Sequence, residues 1–309
     1  MLSTVSSYEA CLRNSEKVYW DLSEAVDEID LDFSKRFMPE ALARVDQLEF
    51  LSEAEKLQLN QIVGHAYAHL FYFVEEFIIA EVHSLASEHV YGDRAALRAL
   101  LRFCEEEVKH QKLFQAFKER FDAGFPVACK TIGNEAQAAE QVTAAGPLAV
   151  MLLTSMLEWI TQKHYLMCFR DGGRDIDPSF SRLFHLHWLE EAQHAKLDSL
   201  EIDRIAQKMD APARSEAVTV FVSLCTAVDG LLQAQNKLVL ESFELASGRV
   251  LTESESQQIL DNQIGALRWT FLGCGLEHPV FLKIVEDIAP HRRDDVAALV
   301  ADYGLQIAG

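Results

Sequence analysis

Residues 57–80 read LQLNQIVGHAYAHLFYFVEEFIIA, a stretch in which Glu75 and Glu76 are the only charged residues. Apolar side chains lie on every side of a helix built from this sequence, so most of its surface must be covered by other parts of the protein. A carboxylate in such a helix needs a partner that offsets its charge. The stretch therefore predicts a core helix whose acid has a partner inside the protein.

Four long helices are predicted, and residues typical of helix starts mark their beginnings. Ser52 and Glu55 have the spacing of a capping box, and Pro147 and Pro178 are placed as first-turn prolines. The predicted helices cover about residues 53–90, 94–121, 147–169 and 178–209. A long polar crossover, residues 122–146, separates the two pairs. Two antiparallel pairs joined in this way are typical of a ferritin-like four-helix bundle.

Two Glu-x-x-His pairs, Glu107 with His110 and Glu191 with His194, are the only such pairs in the chain. Positions three apart on a helix project from one face, so one metal ion can take both side chains of a pair. Each pair also follows, by about thirty residues, an acid in a strongly apolar helix. A single pair is weak support for a site, but two pairs with matched upstream acids are much stronger. The predicted ligand order is Glu76, Glu107, His110, Glu158, Glu191 and His194.

These six residues are the ligand set of a carboxylate-bridged two-metal site. Oxygen and nitrogen donors suit iron or manganese better than the sulfur-rich sites of structural zinc, and the sequence does not choose between iron and manganese. Four carboxylates also offset two divalent cations inside an apolar bundle, where an unpaired charge is very unfavourable. The alternative interpretation is four separate surface or ion-paired glutamates and two core histidines.

Several neighbouring residues have more than one interpretation. Glu75 is an alternative to Glu76 as the ligand. Glu106 and Glu190 each precede the glutamate of a pair, and they either accept a hydrogen bond from the histidine of the opposite pair or are solvated acids. Tyr72 shares approximate helical spacing with Glu76, which predicts an outer hydrogen bond at the site, a pocket wall or ordinary core packing.

His187 lies four residues before Glu191 and seven before His194, on one stripe of the fourth predicted helix. Spacing alone leaves open whether it is a seventh ligand or a core histidine. The segment HWLEEAQH that begins at His187 resembles the H-x-x-x-E-x-x-H motif of the p-aminobenzoate N-oxygenase family, di-iron enzymes with a ferritin-like fold. Further segments follow the same order over roughly residues 35–200: EEFIIAE (75–81), EEVKH (106–110), MLEW (156–159) and RDGGRDIDP (170–178).

The resemblance implies that the six predicted ligands bind two irons and that His187 is an additional ligand to one of them. It also implies that the site uses dioxygen to oxidise the nitrogen of an arylamine, with electrons from an external donor. Residues 205–309 match the family weakly, and no basic residue that would hold an aryl carboxylate can be placed. The identity of the amine substrate is therefore left open.

The chain carries 28 Lys and Arg residues against 48 Asp and Glu residues, a formal net charge of -20. Such a surface repels phosphate backbones and anionic membranes, so nucleic-acid and membrane partners are not expected. Six scattered cysteines without a C-x-x-C pair predict free thiols in a reducing compartment. The most apolar run, residues 147–157, is shorter than the roughly 20 residues that span a bilayer. We therefore expect a cytoplasmic protein, and a homodimer is compatible with the sequence.

The sequence thus predicts an all-α protein with one ferritin-like domain over residues 1–309. Its core bundle covers about residues 53–209, with peripheral helices in residues 1–50 and three more in residues 211–309. The predicted function is a non-haem di-iron oxygenase that uses dioxygen, an external electron donor and a small organic substrate, with an amine nitrogen as the expected position of oxidation. The alternative is a non-catalytic ferritin-like iron-binding or ferroxidase-type protein.

Overall fold

The computed structural model describes residues 4–170 and 176–303. This part of the chain is all helical, without a β-strand, and its helices pack against one another as a bundle, which confirms the predicted fold class. The helices are α1 (Thr4–Val18), α2 (Leu22–Asp27), α3 (Glu40–Ala43), α4 (Glu53–Glu88), α5 (Arg94–Gly124), α6 (Glu135–Thr143), α7 (Pro147–His164), α8 (Pro178–Gln207), α9 (Ala211–Ser247), α10 (Glu253–Arg268), α11 (Cys274–Leu276), α12 (Pro279–Ile288) and α13 (Arg293–Asp302).

The centre of the bundle is formed by α4, α5, α7 and α8, which are the four helices predicted from the sequence. Within the bundle α4 packs along α5 and α7 packs along α8, and the two pairs meet through α5 with α8 and α4 with α7. α7 continues into a π-helical turn, Tyr165–Phe169, so that its helical segment ends where the sequence predicted. The motif RDGGRDIDP extends into residues 171–175, which lie outside the described part of the chain.

Local side-chain contacts fix where the central helices start. Ser52 and Glu55 form the predicted capping box at α4. Asp93 accepts hydrogen bonds from the backbone N–H groups of Ala95 and Ala96 at the start of α5. Asp177 accepts one from Phe180 N at 2.7 Å at the start of α8. Each cap satisfies an N–H group that has no partner within its own helix, so each fixes the register of the helix that follows.

The peripheral helices cover the bundle from two sides. α1 packs on α5 and α8, whereas α6 and α9 cover the side formed by α4 and α7. The predicted crossover, residues 122–146, therefore contains a helix, α6, rather than polar loop alone. The C-terminal region forms five helices, not three, because the breaks near Gly273 and Pro290 separate additional short helices.

α9 is the one helix in the described ranges that is long and apolar enough to cross a membrane by length and composition. In its most apolar window, 33% of the residues are buried in the bundle. The core helix of a soluble protein passes the same test, and α9 packs along α4, α7 and α10. The run predicted to be a buried helix, residues 147–157, lies in α7, where every residue from Leu148 to Leu157 is buried. All six cysteines are free, as predicted.

Candidate metal centre

Seven buried side chains with oxygen or nitrogen donor atoms lie between the four central helices. α4 and α7 each contribute a glutamate, α5 and α8 each contribute a Glu-x-x-His pair, and α8 adds one further histidine. They form two groups, each with donor atoms within 4.8 Å of one another, and each group could hold a metal ion. The groups are Glu75, His110 and His187, and Glu107, Glu158, Glu191 and His194.

The carboxylates of Glu107 and Glu191 connect the two groups. Glu191 Oε1 lies 2.9 Å from His187 Nε2 and 3.3 Å from His110 Nδ1. The other oxygen of Glu191 lies 3.2 Å from His194 Nδ1. Glu107 lies 2.9 Å from His194 Nδ1 and 3.6 Å from His110 Nδ1, again with a different oxygen in each contact. Each carboxylate therefore faces histidines of both groups, which is the position of a carboxylate that bridges two metals.

The structure places Glu75, not Glu76, at the centre, which corrects the first choice made from the sequence. Glu75 is buried, and its Oε1 lies 3.3 Å from His187 Nε2. Glu76 is partly exposed and accepts a hydrogen bond from Gln111 Nε2 at 2.9 Å. Successive residues of an α-helix are rotated by about 100°, so only one of two adjacent acids can point inward. The alternative that the sequence left open is therefore the one found.

Several donor atoms at the centre are buried without a hydrogen-bond partner among the described residues. They include both oxygens of Glu75, Oε1 of Glu107, Oε2 of Glu158, Oε1 of Glu191 and Nδ1 of His110. A buried polar atom without a partner is destabilising by about 1–3 kcal/mol, and an ion is one of the explanations for such a group. Oxygen and nitrogen donors without thiolate match the preference of iron and manganese. The residues present therefore fit a two-metal centre.

The charges at the centre are balanced by protons when no metal is bound. In residues 4–170 and 176–303 the ion pairs of these carboxylates involve histidine and neither Lys nor Arg. Burial raises the pKa of Glu75 to about 8, although the nearby imidazole of His187 opposes this effect. Burial also raises the pKa of Glu158 well above its usual value, and the charge of Glu191 adds to this effect. Burial therefore favours the protonated form of both acids when no metal is bound.

Two of the histidines carry the opposite charge. Burial by itself would lower the pKa of His110, but its contacts with Glu107 and Glu190 outweigh burial and raise that pKa well above its usual value. The pKa of His194 is raised well above its usual value in the same way, since burial is outweighed by the charge of Glu191 and by hydrogen bonds with carboxylates. Protons on these rings occupy nitrogen atoms that a metal ion would use.

Two further glutamates hold the outer nitrogens of the paired histidines. His110 Nε2 donates to Glu190 Oε2 at 3.0 Å, and His194 Nε2 donates to Glu106 Oε2 at 2.9 Å. Each glutamate comes from the opposite Glu-x-x-His helix, which is the contact described from the sequence. Both glutamates are buried and therefore not solvated acids. A carboxylate in this position fixes the tautomer of the histidine, so that Nδ1 faces the centre.

Cations outside the centre offset these outer glutamates. Lys109 is buried, and its Nζ donates to Glu190 Oε1 at 2.5 Å. Arg102 Nε donates to Glu106 Oε1 at 3.0 Å, and the Ser15 hydroxyl of α1 donates to the same oxygen. Sequence reasoning missed Lys109 and Arg102 because lysine and arginine are usually exposed. The available signal was the predicted burial of Glu106 and Glu190, since a buried carboxylate needs a cation or donors nearby.

Tyr72 does not reach the centre. Its ring stacks on His69, with centroids 6.1 Å apart, and the side chain is partly exposed. Among the hydrogen bonds of the described residues, none joins its hydroxyl to one of the seven central side chains. Tyr72 instead lines a cavity on the outer side of α4, so the structure favours the pocket wall over an outer hydrogen bond at the centre.

Metal binding is expected to release protons and to strengthen as the pH rises from about 6 to 8. The raised pKa values of Glu75, Glu158, His110 and His194 favour their protonated forms without metal, and a bound ion must displace such protons. Below the pKa of a displaced group, the apparent affinity should rise about tenfold per pH unit for each proton released. Calorimetric titration with Mn²⁺ in two buffers of different ionisation enthalpy measures this release. Equal affinity at both pH values, with no proton released, would contradict the assignment of these donors.

Comparison with known proteins adds no relative: no protein-family model matches the chain, and no curated protein matches its sequence.

Proposed function

We propose that this protein is a non-haem di-iron oxygenase. Two iron ions are bound between α4, α5, α7 and α8, and dioxygen is used there to oxidise a small organic substrate. Manganese is an alternative metal for the same donors. This proposal includes an external electron donor, as the resemblance of the motifs implies.

The convergence of four buried carboxylates and three imidazoles in two adjacent groups carries the proposal. Four carboxylates have a combined charge that two divalent cations cancel, whereas catalytic zinc sites use three protein ligands, most often with one carboxylate or none. An isolated cluster of four buried acids without Lys or Arg is otherwise strongly unfavourable. Two redox-active ions account for both the number and the type of donors.

The side chains around the centre form an apolar wall. The ring of Phe103 stacks on His194, with centroids 3.9 Å apart, and Phe71 and Phe114 each contact His187 with centroids 5.1 Å apart. Bound iron would supply the site at which dioxygen is reduced. The rings exclude water from that site, and the carboxylates of Glu107 and Glu191 would hold the two ions beside this wall.

We place the oxidation on an amine nitrogen because of the resemblance of the motifs described above. In the balanced reaction, one oxygen atom is inserted: an amine, dioxygen, two electrons and two protons give a hydroxylamine and water. The two electrons come from the external donor. The N–H bond of the amine becomes an N–OH group, and the second oxygen atom leaves as water.

Iron loading and oxygen reactivity test this function directly. Protein made in iron-replete cells is expected to contain about two irons per chain, matching the two donor groups. After anaerobic reduction, addition of oxygen should produce a transient visible absorption band, and a screen of amines should reveal a product one oxygen atom heavier. A colourless protein without metal would contradict the proposal. Oxygen consumption coupled only to iron oxidation, with many irons per chain, would instead indicate a ferroxidase or storage protein.

A further inference from the structure

A cavity of about 260 Å³ lies beside the metal centre, between the outer side of the α4–α5 pair and the start of α6. It is smaller than the roughly 300–1,000 Å³ of pockets for drug-sized ligands, so it suits a small molecule. Aromatic rings form one part of its wall, and polar side chains form the other. The lining residues are His69, Tyr72, Phe114, Gln115, Lys118, Thr131 and Glu135.

Phe114 is the wall that the cavity and the metal centre share. It follows His110 by four residues, one turn along α5, and is buried. Its ring contacts the ring of His187 at 5.1 Å between centroids, while it also lines the cavity. A molecule in the cavity is therefore separated from a predicted ligand of the metal by a single side chain.

The charges of the cavity favour a cation. Lys118, the one cation in the lining, is already paired, since its Nζ donates to Asp122 Oδ2 at 2.5 Å. Glu135 has neither an ion pair nor a side-chain hydrogen bond within residues 4–170 and 176–303. Its charge acts on the aromatic wall: after burial, it raises the pKa of Tyr72. It also opposes the effect of burial on the pKa of His69, where the charge of Lys118 acts in the other direction. The carboxylate of Glu135 is thus available for a ligand.

The aromatic wall is uncharged and can face a cation. His69 Nε2 lies 2.7 Å from the carbonyl oxygen of Ile132, which can only accept, so this nitrogen is the donor. Burial lowers the pKa of His69, so its ring is neutral at pH 7. The ring stacks with Tyr72 at an angle of 25°. Neutral aromatic faces near a carboxylate are a common environment for an ammonium group.

We propose that this cavity is a binding site for a small organic cation and that it selects a primary alkylammonium over an anionic aromatic acid. The site is distinct from the metal centre, because Phe114 separates the two. The ammonium group pairs with Glu135 and lies against the rings of His69 and Tyr72, while the apolar part of the ligand contacts Phe114. The net charge of -20 on the chain acts in the same direction, because it attracts cations.

Binding of three matched probes to the metal-loaded protein tests this selection. Benzylamine, benzyl alcohol and benzoate share one ring and differ in charge at neutral pH, and their affinities can be measured by calorimetry or ligand-observed NMR. We expect benzylamine to bind about tenfold more tightly than benzyl alcohol, benzoate to bind most weakly, and the preference for benzylamine to decrease as salt is added. Equal binding of all three probes, or tighter binding of benzoate, would overturn the proposal.

Substitutions in α6 test whether Glu135 is the group that holds the ammonium. Glu135→Gln should lower benzylamine affinity about five- to tenfold, and Glu135→Lys should turn the preference towards benzoate. Glu140→Gln is the matched control, since Glu140 is an exposed acid on the same helix and is not in the lining. If Glu135→Gln and Glu140→Gln have the same effect, the ammonium is not held by Glu135.

The binding test and the activity test fail independently. If benzylamine binds through Glu135 but no oxygen is consumed with any amine, the cation site stands and the oxygenase function is wrong. If the loaded protein reacts with oxygen but the probes show no charge preference, the oxygenase function stands and the cation site is wrong.

Discussion

Replacing Glu191 with Ala is expected to abolish the loading of both metal ions. The carboxylate of Glu191 is the one whose two oxygens contact all three histidines of the centre, at 2.9, 3.3 and 3.2 Å. Its removal takes a donor from one group that also contacts the histidines of the other, and it leaves three carboxylates to offset two divalent cations. Elemental analysis of the purified variant should give less than about one-tenth of the iron of the wild-type protein, because loss even of an outer contact commonly weakens metal affinity 10- to 100-fold.

Two controls separate loss of metal from loss of folding. Glu191→Gln keeps the shape of the side chain and removes its charge, and it should lose metal as Glu191→Ala does. Asp203→Asn removes an exposed acid from the same helix and should load metal normally. Helical content should be unchanged in all three variants by circular dichroism. A Glu191→Ala protein that is folded and still contains two irons per chain would remove the basis for the proposed centre.

The parts of the centre that the sequence predicted are those set by spacing within one helix. Glu107 with His110 and Glu191 with His194 must share a face wherever their helices lie, because three residues nearly complete a turn. Glu158 is the one acid in a helix that is otherwise almost wholly buried, so its direction was also constrained. These contacts are local, and local contacts can be deduced from spacing alone.

The choice between Glu75 and Glu76 could not be made in this way. Apolar residues surround both positions, so the pattern does not reveal which side of α4 faces α5 and α8. The structure resolves this because Phe71 and Ile78 share the buried stripe with Glu75, whereas Tyr72 and Ile79 lie with Glu76 on a more exposed side. The rotation of α4 is set by packing against other helices, which is a tertiary property.

The side chains that hold the outer glutamates in place were also beyond sequence reasoning. Lys109 meets Glu190, 81 residues away, and Ser15 meets Glu106, 91 residues away. Such pairs depend on how α1, α5 and α8 pack, and no spacing within one helix encodes them. The helix starts, by contrast, were predicted closely because a cap involves residues within one turn.

Exchanging Glu75 and Glu76 separately for Gln is expected to give opposite outcomes at two adjacent positions. Glu75→Gln removes a donor from the group that contains His110 and His187, so one of the two ions should be lost or bound at least about 100-fold more weakly. Glu76→Gln should leave both ions in place, because its carboxylate contacts Gln111 on the outer side of α4. Metal titration monitored by elemental analysis or calorimetry measures the difference.

The same two variants should also differ in the stability of the metal-free protein towards unfolding. In the metal-free protein both oxygens of Glu75 are buried without partners, and burial raises its pKa to about 8. An acid whose pKa is raised on folding destabilises the folded state as the pH increases above its unfolded value of roughly 4.3. Glu75→Gln should therefore stabilise the metal-free protein at pH 7, by about 1–3 kcal/mol in denaturant unfolding. This gain should shrink towards pH 4, where Glu75 is protonated in both states.

Metal should reverse the order of stability. The wild-type protein gains folding stability from each ion, because the ions bind only the folded state. The Glu75→Gln variant lacks the stabilisation that one of the two ions provides. The variant should thus be more stable than wild type without metal and less stable with it, while Glu76→Gln follows wild type in both conditions. If Glu76→Gln instead loses an ion and Glu75→Gln does not, α4 is rotated by one residue from the arrangement described here, and Glu76 is the ligand.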